Sequence, residues 1–345
     1  MSGEVVPPRG AEAEEGEGPG MGPAGGDPTA LELARALREA TAGHVSGILL
    51  FGSRLTNTSP DAHSAYDLVV VVDAYTPFYR HLVEAGHHPR SPKLLAWLSR
   101  ILPPNVIAFA PDLTGDPVAK CIVLNGQHFE QALSSRARDH FLKGRMAQRV
   151  GVLWARDRRT RQWLETQVAE GRQDVLRWAG PHLDDSFTPA ELARRMLEVS
   201  YRGEIRPESS DRVSEVFEAQ RDALVGIYGE VLETERGRGR LERARDGRYR
   251  LASPPGAGDR LLNRLYFLRS KVRATGRWLK YVVTFSGWLP YIQRKLERRA
   301  GHRVELTERE RKYPLIFLWP KFFRIVRTLP GAGRDDAFPG DGEDA

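Results

Sequence analysis

The chain is almost without cysteine. Cys121 stands alone among 345 residues, so no internal disulfide can form and no Cys/His zinc cluster can be built around it. Its neighbours are apolar, and a buried thiol in a reducing compartment is expected. Long apolar runs are missing too. No eighteen consecutive residues are apolar, which excludes a helix of bilayer-spanning length. The opening MSGEVVPPRGAEAEEGEGPG has no apolar core of the kind a secretory signal needs. It is acidic and rich in Gly and Pro, so residues 1–27 are expected to be disordered, as are residues 331–345.

Acidic charge is scarce in the middle of the chain. The formal net charge is +7, although both ends are acidic or neutral. The folded part is therefore more basic than the total, which suits an anionic partner: a nucleotide, a nucleic acid or a lipid surface. Residues 261–325 concentrate this character, with sixteen Lys/Arg against four Asp/Glu, a net of +12. Aromatic residues are interleaved there, among them Tyr266, Trp278, Tyr281, Trp288, Tyr291 and Trp319.

Hydrophobic patterning predicts an α+β protein with a mixed sheet, flanking helices, then a helical domain and a basic amphipathic C-terminal region. Asp27-Pro28 reads as a helix start, with Asp as cap and Pro in the first turn. Gly47–Phe51 and Leu68–Val72 are short, continuously apolar runs, read as buried strands. Asn105–Phe109 and Cys121–Leu124 are two more. These place a sheet domain at 28–130. From 131 to 260 the pattern reads as helical, with a Thr188…Glu191 capping box and an apolar side over Asp211–Leu232. Within it, 234–260 reads as a hairpin or a loop. Residues 261–330 form the basic aromatic region.

The chemistry centres on Gly52-Ser53, which ends one strand, and Asp67, which opens the next. A Gly-Ser turn presents amide N–H groups and a hydroxyl that suit the β- and γ-phosphates of a nucleoside triphosphate. Glycine lets backbone and phosphate approach closely. A carboxylate on the adjacent strand suits Mg²⁺ or Mn²⁺. The pair reads either as a nucleotidyl-transfer site or as an ordinary turn. A two-metal clamp would want a second acid at position 69, which is Val. Asp73 shares Asp67's side of the strand, but about 20 Å along it. Glu204 and Arg206 are candidates for the missing acid and a phosphate contact, or are a surface ion pair. Lys120, Lys143 and Arg145 are further basic candidates, and His63 is a candidate base or a solvated loop residue.

These stretches resemble one family, the mitochondrial translocator assembly and maintenance proteins, CDP-diacylglycerol synthases within the polymerase β-type nucleotidyltransferase superfamily. The resemblance runs through Phe51-Gly52-Ser53, Asp67–Asp73, Lys120, Gly144-Arg145, Ser186-Phe187 and Tyr228-Gly229. Ser200-Tyr201-Arg202-Gly203-Glu204-Ile205-Arg206 matches where the family shows SYxGD and an arginine, and Lys271–Gly276 is similar to its C-terminal basic motif. That family also has an apolar residue where the superfamily has its second acid. Phe51 replaces the family's tyrosine, and Glu204 its aspartate. Residues 291–325 have no counterpart among the mitochondrial members.

The resemblance implies a cytidylyltransferase that converts CTP and phosphatidate to CDP-diacylglycerol and pyrophosphate. It assigns catalysis to Asp67, Glu204 and Arg206, nucleotide binding to Gly52, Ser53, Lys120 and Arg145, and Mg²⁺ or Mn²⁺ to Asp67 and Glu204. A lipid acceptor implies an anionic membrane surface as partner, met by Lys271, Arg273, Arg277, Trp278, Lys280, Trp288, Arg294 and Lys295. Peripheral attachment at the inner face of a bacterial cell membrane is expected. Transfer to RNA or to a soluble phosphate, with the aromatic region stacking on bases, stays open beside it. So does non-catalytic nucleotide or lipid binding.

Overall fold

The computed structural model describes residues 27–56, 65–112, 117–202, 210–284 and 307–309. The first helix, α1 (Pro28–Ala40), starts where Asp27 accepts hydrogen bonds from the Thr29 and Ala30 amides. A five-stranded mixed sheet follows, built from β1 (Val45–Phe51), β2 (Tyr66–Val72), β3 (Asn105–Phe109), β4 (Ala119–Asn125) and β5 (Val150–Ala155). The spatial order is β3-β4-β2-β1-β5. Only β2 and β4 run parallel; the other neighbours are antiparallel.

β2 lies at the centre and is covered on both faces, which is why its run is apolar at every position after Asp67. Alternation sends Leu68 and Val70 to a core shared with Leu33, Leu37, Phe78, Tyr79 and Leu95. Those side chains come from α1, α3 (Tyr75–Glu84) and α4 (Pro92–Ile101). Val69 and Val71 go to the other face. There they meet Phe129, Leu142, Met146, Leu164 and Val168, from α5 (Gly126–Leu133), α6 (Phe141–Met146) and α7 (Arg158–Gln173).

A second core belongs to a helical body. Trp178, Leu192, Met196, Phe217, Leu224, Tyr228 and Leu232 pack together, drawn from α8 (Val175–Ala179), α9 (Pro189–Arg202), α10 (Ser210–Glu218) and α11 (Arg221–Gly237). The Thr188–Glu191 capping box forms as expected, with Glu191 accepting from the Thr188 amide at 2.7 Å. Residues 234–260 include a two-stranded hairpin, β6 (Leu241–Arg243) with β7 (Tyr249–Leu251). The described chain then runs into a long helix, α12 (Ala257–Thr284).

One expectation needs correcting here. The stretch 131–260 read as helical, yet it supplies β5, the edge strand beside β1. The turn leading into β5 is also the seam with the helical body. Buried Arg172 donates to the Met146 and Gln148 carbonyls, Tyr228 donates to the Ala147 carbonyl at 2.7 Å, and Gln220 accepts from the Arg149 amide. These bonds satisfy backbone groups that would otherwise be buried without partners. No helix among the described residues is long and apolar enough to cross a membrane.

Candidate functional site

Strand register places the site. Phe51, the last residue of β1, is opposite Asp67, and Asp67 is opposite Lys120 on β4. The chain turns at Gly52 with φ +81°, a left-handed conformation natural to glycine. Its carbonyl accepts from the Leu55 and Thr56 amides at 3.1 and 3.2 Å, closing the one-turn helix α2 (Ser53–Thr56). A Cβ on Gly52 would lie 2.8 Å from Asp67 Oδ2. The turn and the carboxylate therefore pack against each other, and only a glycine fits at this approach.

Lys120 Nζ lies 3.3 Å from Asp67 Oδ1, and both side chains keep part of their surface, 35% and 26% respectively. Arg54 lies over the Tyr66 ring at 4.8 Å on the same edge. Gly52, Ser53, Asp67 and Lys120 are thus brought together as the sequence predicts. Phe51 is buried beneath them and brings no hydroxyl.

Asp67 fits Mg²⁺ in one specific sense. Mg²⁺ is commonly held by one or two protein carboxylates together with substrate phosphates. Asp67 Oδ2 lies against the Gly52 turn, 2.8 Å from where a Cβ would stand, while part of its carboxylate remains exposed. No group of three or more His, Cys, Asp or Glu suited to a metal occurs among the described residues.

Other expected residues fall elsewhere. Asp73 sits at the far end of β2, where it accepts from Ser46 Oγ at 2.6 Å and pairs with Arg156. Lys143 is buried and paired with Asp174 at 2.5 Å, so it is a structural cation. Arg145 Nη1 donates to the Phe141 carbonyl at 2.6 Å, and its guanidinium stacks on the Phe141 ring, turned back along its own helix. Glu204, Arg206 and His63 lie outside the described residues, as do Trp288, Arg294 and Lys295.

Three lipid-contact residues read from sequence are corrected by burial. Arg277 is 1% exposed and donates to Asp139 Oδ2 at 2.8 Å. Arg273 donates to the same oxygen at 2.7 Å. Lys280 is 5% exposed and donates to the Leu102 and Pro104 carbonyls at 2.7 and 2.6 Å. The cause is the orientation of α12, which turns these cations onto the sheet domain. Lys271 and Trp278 do lie on the surface.

Asp139 and His140 were not singled out in the sequence, yet they organise the joint between α6, α9 and α12. Burial alone would raise the Asp139 carboxyl, but the Arg277 and Arg273 charges and hydrogen bonds hold it below the usual carboxylate range. His140 Nε2 is 3.0 Å from Ser200 Oγ on α9, Nδ1 is 3.3 Å from the Tyr266 hydroxyl, and its amide donates to Ser270 Oγ. Burial, with the Lys143 charge added, pushes its imidazole down to about 3, so it is neutral near pH 7. Gly144 packs there too: a Cβ would lie 3.0 Å from His140 and 3.3 Å from Ser200. Nothing in the local sequence marks these two residues; the Ser200, Tyr266, Ser270, Arg273 and Arg277 side chains that bond to them are sixty or more positions away. No protein-family model matches the chain, and no curated protein is similar to it.

Proposed function

We propose that the protein is a nucleotidyltransferase that joins CTP and phosphatidate to give CDP-diacylglycerol and pyrophosphate, on the nucleotidyltransferase sheet that its motifs resemble. The observation that carries this reading is the contact between the Gly52 turn and Asp67, with Lys120 alongside. A glycine turn packed against a part-exposed strand-borne carboxylate, with an ammonium 3.3 Å away, supports a bound polyphosphate at this edge over a plain hairpin.

In the reaction, a phosphatidate phosphate oxygen forms a bond to the α-phosphorus of CTP. The bond from that phosphorus to the bridging oxygen breaks, and pyrophosphate leaves with the electron pair. No strong base is needed, since a phosphate monoester is ionised near neutral pH. Gly52 and Ser53 hold the β- and γ-phosphates. Lys120 offsets charge that grows on the leaving group, and Arg206 belongs to the same proposal as a phosphate contact. Asp67, with Glu204, is the proposed ligand of Mg²⁺ or Mn²⁺. When bound, that ion supplies neutralisation of phosphate charge.

Selectivity for cytidine rests on the resemblance alone. The test is a panel of CTP, UTP, ATP and GTP, each with phosphatidate vesicles, RNA or a soluble phosphate ester as acceptor. Phosphatidate-dependent pyrophosphate release from CTP is expected; release with RNA and not with lipid would overturn it.

One observation favours a second reading. Asp67 Oδ1 is paired with Lys120 Nζ at 3.3 Å. That pairing would also serve a protein that binds a nucleotide without turning it over. Tight CTP binding with no pyrophosphate release would select that reading.

A further inference from the structure

We propose that the outer face of α12, continued by the exposed end of α4, docks the protein flat onto an anionic lipid bilayer. The helix has two sides. Asn263, Ser270, Arg277 and Thr284 recur every seven residues and are buried against the body. On the opposite side, Leu261, Leu265, Leu268 and Val272 follow one another at spacings of four, three and four. At 100° per residue these four form one stripe. Each is at least half exposed, as is Leu262 at its border. A row of exposed leucines on a helix already seated on its other side is a surface for a partner.

The neighbouring element extends it. A Cβ on Gly276 would lie 3.1 Å from Leu102, and Lys280 donates to the Leu102 carbonyl, so the end of α4 abuts α12. Ile101 ends that helix, and Trp97 is one turn back. Both are more than half exposed. Trp278 is also exposed. Tryptophan favours the boundary between apolar and polar phases, which suits a lipid interface.

Charge selects the occupant. Arg260, Arg264 and Lys271 border the stripe on one side and Arg269 on the other, and all four are exposed. Asp259 is the only acidic residue in α12. A second copy laid on this face would oppose like charges along the whole contact, which is destabilising. An anionic bilayer instead receives the leucines, while the long basic side chains reach its head groups. This surface differs from the one expected from composition, because Arg273, Arg277 and Lys280 face inward. It rests on the lipid-acceptor reading for its purpose, but not for its geometry.

The test is flotation of the full chain with vesicles of phosphatidylcholine, or of equimolar phosphatidylcholine and phosphatidylserine. It compares wild type with Leu265→Glu/Leu268→Glu and with Arg260→Glu/Arg264→Glu. Wild type is expected to float only with anionic vesicles, less so in high salt, and each double variant to lose about tenfold or more in binding. Turnover of CTP with monomeric dihexanoyl phosphatidate is expected to be unchanged in both variants. Equal flotation of the leucine variant overturns the proposal, as does equal binding of wild type to neutral vesicles. So does a lipid-free dimer that the leucine variant abolishes. Flotation as expected with no turnover of any lipid would sink the cytidylyl reading and leave the surface standing.

Discussion

Gly52 is the residue with least room for change. Alanine there faces both a left-handed backbone, at a cost of about 1–2 kcal/mol, and an oxygen of Asp67 at 2.8 Å. Gly52→Ala is expected to lower thermal stability modestly and to abolish nucleotide protection against unfolding; unaltered CTP protection would contradict the role given to the turn. Lys120→Ala should weaken CTP binding more than it weakens folding, because the pair with Asp67 is part-exposed and worth at most about 1 kcal/mol to stability. Calorimetry of binding beside thermal melting separates the two. At this scale much of the edge was legible: Gly52, Ser53, Asp67 and Lys120 are all close to or within apolar runs whose pairing brings them together. Arg277 and Lys280 were misread because such side chains are seldom fully buried, and the carboxylate that receives Arg277 is 138 positions away.

The elements meet at a joint where Asp139, His140 and Lys280 titrate with one sign. His140 has a folded value of about 3 against about 6.5 unfolded, so between these the unfolded chain binds more protons. Asp139, held below its ordinary value, adds to this at the acid end. Lys280, pushed down to about 7 by burial and by the Arg277 and Arg273 charges, does the same between pH 7 and its ordinary range. Stability from these three groups is therefore expected to rise with pH between 4 and 9. The His140 contribution is fully present above about 6.5 and declines by about 1.4 kcal/mol per pH unit as pH falls toward 3. Melting curves from pH 4 to 9 check this, and His140→Asn should flatten the acid limb; an unchanged slope in that variant would remove His140 from the account. Asp139→Ala should cost about 3–5 kcal/mol by leaving Arg277 buried without its counter-charge. β1 to β4 were readable because two-faced burial makes strands continuously apolar. β5 was not, since Val150–Ala155 contains a glycine and follows a helical stretch without a strong break. Its strand character comes from pairing with β1, a tertiary cause.

Across the whole molecule, the sheet domain and the helical body share a seam at residues 146–149, next to the strand that pairs with Phe51. Tyr228→Phe is expected to cost about 1–2 kcal/mol by leaving the Ala147 carbonyl unsatisfied, read as a shift in the denaturation midpoint with one transition retained. The general architecture followed from hydrophobic periodicity, whereas the orientation of α12 did not. A helix with leucines on one side and buried cations on the other reads from sequence as if its sides were exchanged. One claim stands at the centre, the proposal that a nucleoside triphosphate binds at the edge formed by the Gly52 turn, Asp67 and Lys120. Phosphatidate-dependent pyrophosphate release from CTP, measured for wild type and Asp67→Asn at matched folding by circular dichroism, tests it most directly. Turnover by wild type and a loss of about a hundredfold or more in the variant are expected; a variant as active as wild type would contradict the claim.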